Sequence, residues 1–302
     1  MERAIEEHIV WSHWKKASDK AMLTHCRKKS QGQSLTIFSV AHLGLDKVLM
    51  DCPDPFLEAD CEIIKDEKKI TVGYLSLQIG GKIKGVYVKQ HNALSFGRRL
   101  ASLFVASAAM RSLWGAAVLL QSGYATARPI AAVEYRRRGI LTKSLYLSEE
   151  VSGAKTAESF WCEDLMLLKG VQGYQKRRAF LARLARMLNS LHKQKIYHND
   201  LKASNVLVLD RSPPTQEVLS LIDLQGLRKC FYVSKRRRIK NLAQLNRTLG
   251  TVLSKTRLFF LESYGDFYRF NQTEKRNAIK SIFAETSRQA IREKLRGRIP
   301  RL

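Results

Sequence analysis

The sequence predicts an α+β protein with two lobes, a β-rich lobe followed by a helical one. Alternating apolar residues from Cys61 to Gln90, interrupted by the pair Gly80-Gly81, are typical of an antiparallel β-meander. After Glu150 the apolar residues instead recur at the three-to-four-residue spacing of amphipathic helices. We expect these helices in residues 157–168, 174–193, 240–253 and 277–295.

The same change in pattern sets the expected domain boundaries. We expect a basic N-terminal extension with short helices over residues 1–34, a β-rich lobe over 35–150 and a helical lobe over 151–302. After the meander the pattern predicts one long helix from about Phe96 to Ser122. Two further strands complete the first lobe, at residues 130–133 and 141–147.

Charge is the most unusual property of the composition. The chain has 53 Lys and Arg against 27 Asp and Glu, a formal net charge of +26 and a pI near 10.1. A field of this sign favours anionic partners such as nucleic acids, phosphorylated small molecules or an acidic membrane face, without choosing among them. The hydrophobic fraction of 45% excludes a disordered or fibrous chain.

Nothing in the sequence predicts export or insertion into a membrane. The N-terminal residues are acidic and lack a continuous apolar core, so no secretory signal is expected. Five widely spaced cysteines without a C-x-x-C motif predict neither disulfides nor a zinc site, and favour a reducing compartment. The apolar segment from Leu100 to Leu120 has Arg111 at its centre, which is costly inside a bilayer. We therefore expect a buried helix there.

The segment from Ile196 to Val208 carries the strongest chemical signal. It contains the sequence HNDLK at residues 198–202 and then Asn205, and a later apolar strand ends in Asp223. Phosphoryl transfer from ATP needs a carboxylate that orients the attacking hydroxyl and oxygen ligands that hold Mg²⁺ against the phosphates. We therefore expect Asp200 and Lys202 to be catalytic, and Asn205 and Asp223 to bind the metal ion. Oxygen ligands of this kind suit Mg²⁺ or Mn²⁺ and not zinc.

Lys89 is the residue expected to bind the nucleotide phosphates. It ends the sequence VYVK at residues 86–89, which has the pattern of the kinase strand that presents a lysine to the α- and β-phosphates. Gly80 and Gly81 are candidates to cover the phosphates, although two adjacent glycines are also typical of a plain hairpin turn. Glu149, at the join between the lobes, is assigned to the nucleotide site with them.

Together these motifs resemble the Kdo/WaaP lipopolysaccharide kinases, a protein-kinase-like family that phosphorylates sugars of the lipopolysaccharide inner core. The resemblance runs from about Cys61 to Leu249. Its family-specific parts are the sequence TARPIA at residues 126–131 and the basic run into a late helix at residues 236–245. The resemblance implies a protein-kinase-like bilobal fold and transfer of the ATP γ-phosphate to a sugar hydroxyl of Kdo or heptose.

Three features depart from the kinase pattern. No Glu or Asp occurs between Gln90 and Val133, so the usual helix glutamate that pairs with the strand lysine is absent or supplied from elsewhere. Glu134 is the candidate to supply it. The chain also has no G-x-G-x-x-G sequence. Asn241 stands where an aspartate is common in the family, which we expect to loosen the support of the catalytic loop.

The C-terminal part of the chain indicates which class of acceptor is favoured. Only 79 residues follow Asp223, without an A-P-E motif, so a sugar or glycolipid acceptor fits better than a protein. These residues hold 20 Lys and Arg against 5 Asp and Glu, which favours an anionic acceptor and peripheral contact with an anionic membrane. We therefore expect a cytoplasmic protein at the inner face of the cytoplasmic membrane.

Other functions stay open on the sequence alone. A protein Ser/Thr kinase or another small-molecule kinase would share the catalytic motifs, and a pseudokinase scaffold would account for the missing helix glutamate. Nucleic acid is not an expected partner, because the chain has no zinc finger, RNP sequence or other recognisable module. The expected partners are ATP and an anionic sugar or glycolipid.

Overall fold

The computed structural model describes two compact units. The described residues are 23–30, 33–40, 56, 61–79, 81–92, 96–209, 218–249, 254–265 and 271–295. The first unit holds the described residues up to Ser152 together with Asp223–Leu227, and the second holds those of Gly153–Ile222 and from Arg228 onward. The short segment that begins at Asp223 therefore belongs to the first unit, although its neighbours in the chain belong to the second.

An antiparallel sheet of seven strands forms the framework of the described first unit. Its strands are β1 (Leu23–Ser30), β2 (Gln33–Val40), β3 (Glu62–Glu67), β4 (Ile70–Ile79), β5 (Lys82–Asn92), β7 (Pro129–Arg137) and β8 (Ile140–Glu149), while β6 (Ala125–Thr126) is a short strand before β7. Their order across the sheet is β1-β2-β7-β8-β5-β4-β3, and each neighbouring pair is antiparallel. The predicted meander is present as β3, β4 and β5, whereas β1 is a strand where we expected short helices.

Strand β5 explains the position of Lys89. Val86 and Val88 are fully buried in the core cluster of the sheet, and alternate side chains of a strand point to opposite faces. Lys89 therefore lies on the other face, where it is directly opposite Tyr146 of β8. Tyr146 belongs to a second buried cluster, which the sheet forms with the helix described next. Lys89 thus shares the face of the sheet that this helix covers.

The long helix predicted between the meander and β6 is two helices, α1 (Phe96–Ala101) and α2 (Ala108–Gln121). The hydroxyl of Ser102 donates to the carbonyl of Arg99 at the end of α1. Ser107 has an extended backbone, and its hydroxyl accepts a 3.1 Å hydrogen bond from the Met110 amide, which caps the start of α2. Serine side chains bond to nearby backbone in this way at helix ends, and this breaks the apolar pattern into two helices.

The second unit is mainly helical. Its elements are β9 (Lys155–Thr156), a short helical stretch Ala157–Ser159 that continues as a π-helical turn Phe160–Leu165, α3 (Gly170–Lys193), β10 (Ile196–His198), β11 (Val206–Leu209), β12 (Val218–Leu221), β13 (Leu227–Lys229, whose first residue belongs to the first unit), α4 (Lys235–Thr248), α5 (Ser254–Ser263) and α6 (Gln272–Leu295). Strand β11 pairs antiparallel with both β12 and β9. The four predicted helices are present, with ends shifted by several residues.

Helix α3 provides much of the core of this unit. Its buried side chains recur every three or four residues, at Phe180, Leu181, Leu184, Leu188 and Leu191.

None of the described helices is long and apolar enough to cross a membrane.

Candidate active site

Lys89 and Asp223 lie together within the first unit. The Nζ atom of Lys89 is 2.6 Å from Oδ1 of Asp223. The two side chains are 22% and 24% exposed, so their ion pair is partly shielded from water but can still be reached by a ligand. The structure therefore pairs the predicted phosphate-binding lysine with a predicted metal-binding aspartate.

Helix α2 holds the backbone next to Asp223. Asp223 has a left-handed backbone conformation with φ of 58°, and Leu224–Gly226 follow as a 3₁₀ turn. Gly115 of α2 lets Leu224 approach so closely that a Cβ at Gly115 would lie 2.7 Å from the Leu224 carbonyl oxygen. Arg111, one turn earlier, donates from Nε to the Gln225 carbonyl at 3.3 Å. A larger residue at position 115 would thus displace the backbone that presents Asp223.

His91 is a site residue that the sequence analysis missed. Burial, together with the positive charges of Lys89 and Arg111, lowers the pKa of His91 to about 3, and the charge of Asp223 opposes this shift. The imidazole is therefore neutral at physiological pH. The sequence could have indicated this, because His91 lies two residues after Lys89 and alternate residues of a strand share one face.

Glu134 does not take the place of the missing helix glutamate. It is buried on β7, and its Oε2 accepts from Nε and Nη2 of Arg136 at 3.2 and 3.1 Å. The described ion pair of Lys89 is with Asp223 instead. The candidate partner that we named from the sequence is therefore wrong, because Glu134 is already neutralised two residues along its own strand.

The loop that the sequence predicts to be catalytic, which we call the catalytic loop, lies in the second unit and follows β10. Asp200 is 44% exposed, and its Oδ2 is 2.9 Å from Nζ of Lys202. The Asn205 amide nitrogen donates to the Asp200 carbonyl at 2.8 Å, and the Ile222 amide donates to the Asn205 carbonyl at 3.0 Å. The structure thus brings Asp200, Lys202 and Asn205 together in one hydrogen-bonded loop.

Helix α4 holds this loop through side chains that bond to the loop backbone. Gln244 accepts from the Leu201 amide at 3.1 Å and donates to the Asn199 carbonyl at 2.9 Å. Thr248 accepts from the Ala203 amide at 2.8 Å. Backbone groups carry no sequence signature of their own, so the motif could not reveal which helix would satisfy them. The role of Gln244 was therefore missed.

Asn241 strengthens this support, contrary to our expectation that it would loosen the loop. It is fully buried, and its amide nitrogen donates to the His198 carbonyl at 2.6 Å and to Oε1 of Gln244 at 2.9 Å. A carboxylate could donate to neither oxygen. The amide is thus the group that this arrangement of acceptors requires.

His192 completes the buried network around Asn241. Its Nε2 lies 3.0 Å from Oδ1 of Asn241, and its Nδ1 lies 2.5 Å from the hydroxyl of Tyr264. Burial lowers the pKa of His192 to about 4. The ring is therefore neutral; because Oδ1 can only accept, Nε2 carries the proton and Nδ1 accepts from Tyr264.

The other predicted nucleotide-binding residues lie on the sheet of the first unit. Gly81 has φ of 77° in the two-residue turn that joins β4 to β5, a conformation that glycine adopts without strain. Gly80 lies outside the described residues. Glu149 ends β8 and forms a 2.8 Å ion pair with Lys84, with its side chain 16% exposed.

The two predicted metal ligands each supply an oxygen atom of the kind that Mg²⁺ prefers. No group of three or more His, Cys, Asp or Glu that could hold a metal ion occurs within the described ranges. Asn205 uses its amide nitrogen on the loop backbone, which leaves its side-chain oxygen as the acceptor atom, and Asp223 offers a carboxylate. Each supplies hard oxygen, and Mg²⁺ is commonly bound by one or two carboxylates with substrate phosphates and water.

Comparisons with known proteins give the family of the chain. Residues 91–264, more than half of its length, match the model of the lipopolysaccharide kinase (Kdo/WaaP) family. No curated protein sequence matches the chain.

Two solved structures resemble this one to different degrees. WaaP in complex with acyl carrier protein is 22% identical with a TM-score of 0.55, over 76% of this chain and 88% of that chain. The PknI kinase domain of Mycobacterium tuberculosis, a double mutant, is 13% identical with a TM-score of 0.38, over 63% and 72%. The likeness to WaaP confirms the predicted α+β, protein-kinase-like fold. With the family match over most of its length, the chain belongs to the lipopolysaccharide kinase (Kdo/WaaP) family and is a kinase acting on the lipopolysaccharide core.

Proposed function

We propose that the protein transfers the γ-phosphate of ATP to a sugar hydroxyl of the lipopolysaccharide inner core, on Kdo or heptose. The observation that carries the proposal is that the kinase residues predicted from sequence fall into two ordered sets. Lys89 and Asp223 form an ion pair in the first unit, and Asp200, Lys202 and Asn205 share one loop in the second. These are the groups that phosphoryl transfer requires.

The first set binds the nucleotide. Lys89 would bind the α- and β-phosphates, and Gly81, with Gly80, would cover them. Glu149 is assigned to the same site. Asp223 of the first set and Asn205 of the second set are the residues that would hold Mg²⁺ or Mn²⁺, and the ion would neutralise the developing charge on the phosphates. The left-handed backbone of Asp223, held by α2, fixes where its carboxylate is presented.

The second set acts on the acceptor. Asp200 would orient the acceptor hydroxyl and accept its proton as the bond to phosphorus forms. Its exposure of 44% leaves the carboxylate accessible to a sugar. Lys202, 2.9 Å away, would stabilise negative charge on the transferring group. The α4 side chains that bind the loop backbone keep the carboxylate in place.

The charges around Asp200 favour an anionic sugar. Lys240 of α4 donates to Oδ1 of Asn199, next to Asp200, at 2.9 Å. Burial lowers the pKa of Lys240, and the positive charges of Arg292 and Arg236 act in the same direction, whereas Asp200 and Glu285 oppose them. Because burial disfavours the charged form of Lys240, a further anionic partner such as a carboxylate or phosphate of the acceptor would stabilise its ammonium group. This supports an inner-core sugar over a polycationic acceptor such as an aminoglycoside.

A membrane location and a protein partner are parts of the same proposal. We propose that the protein works in the cytoplasm, at the inner face of the cytoplasmic membrane, where an anionic glycolipid acceptor is presented. An acyl carrier protein is a further proposed partner. The complex of WaaP with acyl carrier protein suggests it, and the net charge of +26 would attract an acidic protein.

The test is transfer of labelled phosphate. Purified protein is incubated with labelled ATP and Mg²⁺, with either a core oligosaccharide or a generic protein substrate. We expect label on the oligosaccharide, and we expect its loss in Asp200→Asn and Asp223→Asn with unchanged thermal unfolding. Label on the protein substrate alone would favour a protein kinase. Full transfer by either variant would overturn the site assignment, and an absence of Mg²⁺-dependent ATP binding would indicate a pseudokinase.

A further inference from the structure

An apolar surface outside the catalytic loop lies where the π-helical turn passes into α3 of the second unit. Leu167 and Val171 are 73% and 71% exposed. Their exposed apolar neighbours are Met166, Leu168 and Tyr174. We call these five residues the apolar shoulder. Single exposed apolar residues are common, whereas a group of them so close together in the chain is typical of a binding surface.

Contacts to the backbone of Leu165 and Leu168 keep the apolar shoulder at the surface. Nη1 of Arg177 donates to the carbonyls of Leu165 and Leu168, at 2.9 and 2.7 Å. Gly173 lets the same segment pack against α3, since a Cβ at Gly173 would meet the Leu168 carbonyl oxygen. These contacts fix the turn that carries Leu167. Its apolar side chains therefore stay in water because the fold presents them there.

Basic residues surround the shoulder. Lys169, Lys176 and Arg178 are all exposed beside it. Nη1 of Arg178 donates to the hydroxyl of Tyr174 at 2.8 Å, and its guanidinium lies 3.8 Å from the ring centre of Phe259. Two acidic residues, Glu163 and Asp164, lie nearby in the chain, and Asp164 is paired with Lys155 at 2.8 Å. The charge around the shoulder is therefore mainly positive.

We propose that the apolar shoulder docks the protein on an anionic lipid bilayer. Aliphatic side chains can enter the acyl boundary, a tyrosine suits the headgroup level, and basic side chains bind anionic headgroups. The most exposed residues of the shoulder, Leu167 and Val171, are aliphatic, which suits insertion at the acyl boundary, and binding of an acidic protein is an outcome of the test. The inference rests on the proposed function in one respect, that the acceptor is carried by a membrane.

The test compares vesicle binding by full-length variants. Binding is measured by sedimentation with vesicles of phosphatidylethanolamine and phosphatidylglycerol, and with vesicles of phosphatidylcholine alone. We expect the wild type to prefer the anionic vesicles, and Leu167→Ser/Val171→Ser to bind them at least about tenfold more weakly. Ile83→Ser is the matched control, because Ile83 is 80% exposed between Lys82 and Lys84. It should bind as the wild type does.

Activity on a water-soluble core oligosaccharide separates this proposal from the proposed function. The double variant should phosphorylate the soluble sugar at the wild-type rate and unfold at the same temperature. Equal vesicle binding by the double variant and the wild type would overturn the proposal. Loss of binding to purified acyl carrier protein with unchanged vesicle binding would also overturn it and assign the shoulder to a protein. Failure of transfer with intact vesicle binding would instead count against the proposed function alone.

Discussion

Replacing Asn241 with aspartate would invert the hydrogen-bonding polarity of a fully buried amide. The Asn241 nitrogen donates to the His198 carbonyl at 2.6 Å and to Oε1 of Gln244 at 2.9 Å, while its oxygen faces Nε2 of His192. A carboxylate keeps the contact with His192. It also places an oxygen against two other acceptors and adds a charge at a position with 0% exposure.

The expected cost follows from these contacts. Two neutral hydrogen bonds are lost, at about 1 kcal/mol each. A buried charge without a partner costs about 3–5 kcal/mol in total. Because His192 is neutral at pH 8, it provides no positive charge to pair with the new carboxylate at that pH. We therefore expect Asn241→Asp to lower the free energy of unfolding at pH 8 by about 3–5 kcal/mol.

Lowering the pH should reduce the difference in the free energy of unfolding between the wild type and Asn241→Asp. In the wild type the pKa of His192 is lowered to about 4 from an ordinary 6.5, so its contribution to stability is complete above pH 6.5 and is lost as the pH falls. At pH 5.5 that loss is about 1 kcal/mol. In the variant the carboxylate raises the pKa of His192, so less of this stability is lost. The free energies of unfolding of the two proteins should therefore differ by less at pH 5.5 than at pH 8.

Urea unfolding followed by tryptophan fluorescence at pH 5.5 and 8 measures both effects. Asn246→Asp is the matched control, since Asn246 lies on the same helix, donates to the hydroxyl of Thr286 and is only half-buried, so that an aspartate there stays in contact with water. It should cost less than about 1 kcal/mol at either pH. A cost of Asn241→Asp that is below about 1 kcal/mol, or equal at both pH values, would refute the assigned polarity of the network.

Three further variants test the positioning of the site. Gly115→Ala should weaken Mg-ATP binding and lower the melting temperature because it displaces Leu224, whereas Gly97→Ala, which meets nothing within 4 Å, should do neither. Gln244→Leu should lower kcat about tenfold with little change in KM for ATP, measured by steady-state kinetics, since it frees the catalytic-loop backbone. Lys240→Met should raise KM for the anionic acceptor and leave KM for ATP unchanged; the reverse pattern would contradict its assigned role.

A structural feature can be predicted from the sequence when it leaves a local pattern in the chain. The HNDLK motif at residues 198–202 predicted a loop that the structure does hold together, because spacing within a short loop fixes which side chains can meet. The helix break near Ser107 was missed because the apolar pattern continues through it, and only the capping hydrogen bond shows it. Glu134 was named as the partner of Lys89 because no acidic residue lies between Gln90 and Val133, but Arg136 already neutralises Glu134.

The sequence by itself determined the α+β class, the meander, and the family to which the chain is similar. Local periodicity and short spacings are properties of the chain, so they can be recognised before it folds. Only the tertiary structure decided that Asp223 pairs with Lys89, 134 residues earlier, and that Asn241 and Gln244 support the catalytic loop. Those contacts satisfy backbone groups and charges that are distant in the chain, and such groups leave no periodic signal. Their partners follow from how the elements pack.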